Sequence, residues 1–281
     1  MRTFVHDVKS SKKLFYCIIN NKREAFSLSN RLAKIFLPIL KKGVLVDFVV
    51  KEKVLKKELE VYPVLYFNQV IQSSPHRVLY DINDLRLDMK KVIDKYQYFL
   101  FLDLEMSMPG YGPGKFTPEI IQVGYILTDQ TGEVILDKGY YVLPKNEFAI
   151  NKRTIKFLNL DENLYFGHAR DYEYFYEDLK KVFETYRPQC VVWGKNDIQA
   201  LNDSYKLHEV KPLIREKQFI DLLKLHKDYY SLQDDLGLFK AYQQYYKHDI
   251  SQDHDARTDA VITKDVFDAF RTVMNELVKK H

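Results

Sequence analysis

Tyr98–Glu105 reads YFLFLDLE, a continuous β-forming run that ends in two carboxylates. Its apolar residues leave no polar face over the first five positions, which predicts a strand covered on both sides. Side chains alternate faces along a strand. Asp103 and Glu105 therefore share one face, which Phe101 continues, while Leu102 and Leu104 pack behind. Paired carboxylates at the end of a buried strand cost too much to leave without a positive partner. The Pro- and Gly-rich stretch Met108–Pro118 that follows has room for a ligand.

Outward from this strand, Glu119–Thr128 (EIIQVGYILT) and Glu133–Val142 (EVILDKGYYV) are two more strand-like runs, with Thr131-Gly132 turning between them. Three consecutive strands with short links predict an antiparallel meander. Helical patterns follow at Asn151–Leu158 and Tyr172–Tyr186, then a buried strand at Cys190–Trp193 and a helix from Asp197. Gln218–Leu222 reads as a short strand, and Leu236–Tyr246 and Ala256–Lys280 as helices. A meander followed by strand–helix alternation is the element order of the ribonuclease H-like fold. The fold class expected for residues 96–281 is thus α/β, a mixed sheet flanked by helices.

Two further clusters carry acidic residues. In VVWGKNDIQAL, Asp197 opens a helix on which Ala200, Leu201, Ser204 and Tyr205 follow at inward spacing. In HDARTDA, Asp259 heads a stripe made of Ile262, Thr263, Val266, Phe267 and Phe270. His254 precedes Asp259 by five residues, about 140° around a helix, so both reach one site only if His254 lies in the turn ahead of it. Ser251-Gln252-Asp253 offers cap-forming residues for that turn. Four carboxylates and an imidazole brought together would suit a site for two divalent cations acting on a phosphodiester. His6, His76, His168, His208, His226, His248 and His281 read as ordinary surface residues.

The first 95 residues differ in character. They hold 19 Lys and Arg against 10 Asp and Glu, which leaves 24 against 29 in the remainder, for a net +4 overall. Strand-like runs at Lys13–Asn20 and Glu24–Ser29 flank a hairpin loop at Asn21-Lys22-Arg23. Val44–Val50 and Tyr62–Val70 are further strands, and Arg31–Leu40 fits a short helix or another strand. Residues 1–80 are thus expected to form a small basic mainly-β domain, for which an oligonucleotide-binding barrel is one form. Phe15, Tyr16, Phe26, Phe48 and Tyr66 would there either stack on bases or fill the core. Asp81–Lys95, with a capping acid and apolar Leu85, Met89 and Val92, reads as a linker helix.

Composition sets outer bounds. With 281 residues, 46% of them hydrophobic, the chain can bury one large core or two modest ones. No run approaches the roughly 18 uncharged apolar residues of a membrane helix, and the first residues lack a signal core, so a cytoplasmic protein with no membrane partner is expected. Cys17 and Cys190 stand singly in apolar runs and read as small buried hydrophobes.

Residues 96–281 resemble the DEDDh (DnaQ-like) 3′–5′ exonucleases of the ribonuclease H-like superfamily. That family's motifs contribute Asp and Glu, then Asp, then His and Asp, in the order met here at Asp103, Glu105, Asp197, His254 and Asp259. WGKND and PEIIQVGYI are similar to the second motif and second strand of the subgroup containing the three-prime histone messenger RNA exonuclease and the sporulation inhibitor, whereas DLEMS is nearer the DLEMT of oligoribonucleases. Residues 1–95 lie outside the resemblance.

The resemblance implies a role for each of these residues. Asp103 would bridge two Mg²⁺ or Mn²⁺ ions, with Glu105 and Asp259 completing one shell and Asp197 serving the other. His254 would act as general base. Glu105, Met106 and Ser107 would border the terminal nucleotide. The activity implied is 3′–5′ hydrolysis of single-stranded RNA or DNA to nucleoside 5′-monophosphates. The alternatives weighed are a nucleic-acid-binding protein without catalysis and a polymerase-associated proofreading subunit.

Overall fold

The structure is a computed structural model and describes residues 1–56, 58–110, 116–247 and 254–280. It divides into two compact units, one of Met1–Lys91 with Leu277–His281 and one of Val92–Glu276. Each builds its own core.

The first unit contains strands β1 (Arg2–Lys9), β2 (Leu14–Ile19), β3 (Lys22–Ser27), β4 (Leu45–Val50), β5 (Val54–Lys56), β6 (Leu59–Gln72) and β7 (Arg77–Asp81), and helix α1 (Asn30–Phe36). Five of them form a ring in the order β3-β2-β1-β4-β6. It closes where β3 runs parallel to β6 through Phe26↔Tyr62 and Ser27↔Pro63. A five-stranded barrel of this order, with a helix between its third and fourth strands, is the oligonucleotide-binding arrangement.

A barrel this narrow must be filled by its own side chains. Phe15, Phe26, Phe48 and Phe67 are fully buried inside it, and Ala33 and Phe36 of α1 join that cluster. Ring centroids lie 5.2 Å apart for Phe15–Phe26 and 5.0 Å for Phe26–Phe48. Of the five aromatics weighed for base stacking, Phe15, Phe26 and Phe48 are therefore core residues. Tyr16 is buried too, in a second cluster with Leu14, Ala25 and Val61, and the Arg23 guanidinium covers its ring at 4.2 Å. The hairpin loop also differs from expectation: Ile19 pairs Lys22, so the turn is Asn20-Asn21, both at positive φ. Asparagine tolerates that left-handed geometry, and a two-residue turn matches the strand twist.

Helix α2 (Ile82–Ile93) follows. The second unit carries strands β8 (Tyr98–Met106), β9 (Ile120–Asp129), β10 (Val134–Tyr141), β11 (Gln189–Val192) and β12 (Phe219–Asp221). Its helices are α3 (Lys152–Leu158), α4 (Glu162–His168), α5 (Tyr172–Tyr186), α6 (Asn196–Leu207), α7 (Leu222–Tyr230), α8 (Leu238–Tyr246) and α9 (Ala256–Lys280). The sheet order is β10-β9-β8-β11-β12, antiparallel through β8 and parallel beyond it. This is the mixed α/β sheet expected. Helices α4 and α7 were not foreseen.

The central strand β8 is covered on both faces, as its composition requires. Leu100, Leu102 and Leu104 join a core with Phe175 and Leu179 of α5 and Leu201 of α6. Phe99 and Phe101 face the other way onto Phe267 of α9, at 4.9 and 5.3 Å between ring centroids. Asp103 and Glu105 continue the face that α9 covers. His226, expected at the surface, is instead fully buried. Its Nε2 lies 3.0 Å from the Tyr245 hydroxyl, and burial pushes its pKa down to about 4. His248 and His281 lie outside the described residues.

Because Phe26 is enclosed by the barrel and Phe4 is 55% exposed, Phe26→Ala is expected to cost about 3–5 kcal/mol. Phe4→Ala should stay within about 0.5 kcal/mol. Urea unfolding of the two variants checks the difference.

Candidate active site

Three stretches of chain meet at the end of β8, and a row of residues across the sheet explains how. Asp103 pairs with Gly124 of β9, and Gly124 pairs with Gly139 of β10. A Cβ at Gly124 would lie 2.2 Å from the Ala256 carbonyl carbon and the Arg257 nitrogen, and one at Gly139 would lie 2.7 Å from the Arg257 Cβ. The glycines thus form a seat into which the backbone of the first turn of α9 settles.

Polar contacts fasten α9 there. Gln122, paired with Glu105, donates from Nε2 to Asp255 Oδ2 at 2.7 Å, and its Oε1 accepts from the Ala256 amide at 3.4 Å. Asp255 also accepts from the Thr258 amide at 2.8 Å, which caps the helix. The cap assigned to Ser251-Gln252-Asp253 lies outside the described residues. Arg257 grips Asp137 with two hydrogen bonds, of 2.7 and 2.6 Å.

The seat turns Asp259 toward β8. One carboxylate oxygen from each of Asp103, Glu105 and Asp259 lies within 4.8 Å of the others. Asp197 arrives from the first turn of α6. Strand β11 pairs with β8 only as far as Phe101, and beyond it the Leu104 amide donates to Asp197 Oδ1 at 3.0 Å. His254 occupies the turn ahead of α9 at φ 49°. Its Nδ1 is 3.8 Å from Glu105 Oε1, and its ring lies 4.5 Å from that of Phe157. All five residues line one cavity of about 400 Å³.

Electrostatics decides what the cavity can hold. Burial, and then the charges of Asp197, Asp259 and Glu105, hold the Asp103 carboxyl well above the usual carboxylate range. Glu105 is pushed up to about 8 by burial and by Asp259 and Asp197. Asp197 is pushed up to about 7, mainly by burial, against which the Leu104 amide works. Clustered carboxylates are a hard oxygen donor set that suits Mg²⁺ or Mn²⁺.

Met106 and Ser107 also line the cavity. Ser107 is buried, and its hydroxyl accepts from the Glu119 amide at 3.0 Å. Glu119 in turn accepts from the backbone amides of Lys145 and Asn146 at 2.6 and 3.2 Å. Gln122, Gly124, Gly139 and Phe157 also belong to the site, beyond the residues expected from sequence. Two glycines inside β-rich runs were the available signal, because a strand glycine often marks close approach of another backbone.

Gly124→Ala is expected to destabilise the protein by about 1–3 kcal/mol or more, because its methyl meets backbone that cannot move aside. Gly167→Ala in α4, with nothing within 4 Å of the added carbon, should be neutral or stabilising by about 0.5–1 kcal/mol. Thermal unfolding separates them. Raised carboxyl pKa values mean that the folded, metal-free form holds its protons more tightly than the unfolded chain, so its stability falls as pH rises from the ordinary 4.5 of Glu105 through about 8. At pH 8, Asp103→Asn should relieve about 1 kcal/mol of this and raise Tm by about 2–4 °C. Mg²⁺ should raise the wild-type Tm more than that of the variant.

Comparison with known proteins accords with this geometry. The exonuclease family of the RNase T type matches residues 100–267. No curated protein sequence matches the chain. Among solved structures, the nuclease domain of 3′hExo, a DEDDh family member bound to rAMP, is 20% identical, with a TM-score of 0.52 over 61% of this chain and 90% of that one. A full-length 3′-exonuclease is 16% identical, with a TM-score of 0.54 over 65% and 84%. Exonuclease I of E. coli in complex with a dT13 oligonucleotide is 17% identical, with a TM-score of 0.52 over 66% and 43%. Such likenesses carry the fold, and the family match, spanning more than half of the chain, carries membership. The chain belongs to the exonuclease family of the RNase T type, and it brings Asp103, Glu105 and Asp259 together as a group able to hold a metal ion.

Proposed function

We propose that the chain removes nucleoside 5′-monophosphates one at a time from the 3′ end of single-stranded RNA or DNA by a two-metal mechanism, as a cytoplasmic enzyme. The observation that carries this reading is the convergence of Asp103, Glu105 and Asp259 within 4.8 Å, beside Asp197 and His254 in one cavity. Asp103 would be shared between two Mg²⁺ or Mn²⁺ sites, with Glu105 and Asp259 completing one and Asp197 serving the other. When bound, the ions supply Lewis-acid activation of the attacking water and stabilisation of the leaving oxygen.

The residues themselves do the rest. His254 takes the proton of the attacking water on a ring nitrogen. The Glu105 carboxylate lies 3.8 Å from Nδ1 and sets the ring beside the carboxylate cluster. As water adds to the terminal phosphorus, the bond to the 3′ oxygen of the penultimate nucleotide breaks and a 5′-monophosphate leaves. Glu105, Met106 and Ser107 border the terminal nucleotide, with Met106 as its apolar wall.

We also propose that residues 1–80 act as a nucleic-acid-holding module, with 81–95 as the linker to the exonuclease domain 96–281. The excess of basic residues and the barrel's strand order support this.

A 5′-labelled oligonucleotide in Mg²⁺ is expected to shorten from its 3′ end with release of mononucleotides, and a chelator should stop it. Asp103→Ala should abolish turnover, and His254→Ala should lower it by roughly 10²–10⁴. Shortening that continues on a 3′-blocked strand would overturn the polarity, and wild-type rates in either variant would overturn the roles.

A further inference from the structure

Helix α3 forms one wall of the cavity. Phe157, 44% exposed, lines the cavity with one side of its ring near His254. The start of the helix is stapled to the chain leaving β8. The Met108 amide donates to Thr154 Oγ1 at 2.9 Å, and Asn151 Nδ2 donates to the Met108 carbonyl at 2.8 Å. Met108 itself lines the cavity. Thr154 and Leu158 are the buried residues of α3, so its other side faces solvent at the cavity mouth.

That side carries Lys152, Arg153 and Lys156, all exposed. None forms an ion pair or hydrogen bond through its side chain with a described residue. In the same unit, Lys138 and Lys264 each hold a carboxylate, at 2.5 and 2.9 Å. Spacing of four residues puts Lys152 above Lys156 and Arg153 above Phe157, one turn or about 5.4 Å apart. Three cations that pair with no acid among the described residues stand beside a cavity of clustered carboxylates. The cavity's field repels a polyanion, and cations at its mouth are what a nucleic-acid strand needs in order to approach.

We propose that the solvent face of α3 is the binding track for the single-stranded nucleic acid just upstream of the scissile bond, with Lys152, Arg153 and Lys156 holding its backbone phosphates. This rests on the exonuclease reading and adds the surface that receives the uncut strand. The contacts are to phosphate, so the track carries no base preference of its own.

The test is fluorescence anisotropy of the full-length protein with a 5′-fluorescein oligothymidylate of about 15 residues, in chelator so that no strand shortens, across a salt series. Losing three phosphate contacts on a single strand lowers the slope of log K against log salt by about 2. The triple variant Lys152→Ala, Arg153→Ala, Lys156→Ala is expected to show that drop and to bind about tenfold or more weakly at low salt. A control, Lys180→Ala with Lys181→Ala, takes charge from α5, which contributes no residue to the cavity. An unchanged slope in the triple variant, no measurable binding by wild type, or an equal loss in the α5 control would overturn the track. Mononucleotide release in Mg²⁺ is measured separately. Wild-type protein that binds through α3 but releases none would remove the exonuclease reading and leave the track standing.

Discussion

Mutual repulsion among buried carboxylates is the constraint around which the second unit is organised. Asp103, Glu105, Asp197 and Asp259 come from one strand and two helix starts, and burial together with their neighbours' charges raises the first three above their ordinary range. On the opposite face of the sheet, Asp178 shows how the same unit treats a structural acid. It accepts from Tyr125 and Tyr140 hydroxyls at 2.7 and 3.0 Å and pairs with Lys138 at 2.5 Å. Among the described residues that line the cavity there is no lysine or arginine to do this. The difference between a satisfied acid and a cluster of like charges separates a structural carboxylate from one kept for binding cations.

Holding such a cluster requires rigid supports, because each carboxylate would otherwise swing toward water. The sheet supplies one, through β8 locked between β9 and β11. The Leu104 amide supplies another by holding Asp197 where β11 has stopped pairing. The glycine row supplies the third. With any side chain at Gly124 or Gly139, the start of α9 would ride higher on the sheet and carry Asp259 and His254 with it. Strand register is therefore part of the site, since Asp103, Gly124 and Gly139 share one row only in the pairing observed.

The first unit obeys a different limit. A five-stranded barrel has an interior that only its own side chains can fill, and phenylalanines serve because each supplies much apolar area. Composition alone could not separate rings that fill a barrel from rings that meet a ligand. The inward alternation of Phe15 with Tyr16 is decided by closure between β3 and β6, strands separated by helix α1 and two other strands.

Much of the second unit was legible in the chain. The continuous apolar run of β8, the meander, the ends of α5 and α9, and the alternation placing Asp103 and Glu105 together all follow from local periodicity, which acts over a few residues. The residues of the acidic set could be picked out by type and order. Their convergence, the glycine seat, the capping by Asp255, the fully buried His226 and the inward phenylalanines could not. Each depends on contacts between positions tens to more than a hundred residues apart, such as Gln122 with Asp255. Local sequence determined the strands, the helices and the chemical types available. Tertiary packing alone decided which of those groups share a cavity, because pairing register and helix seating are set by steric fit across the whole sheet.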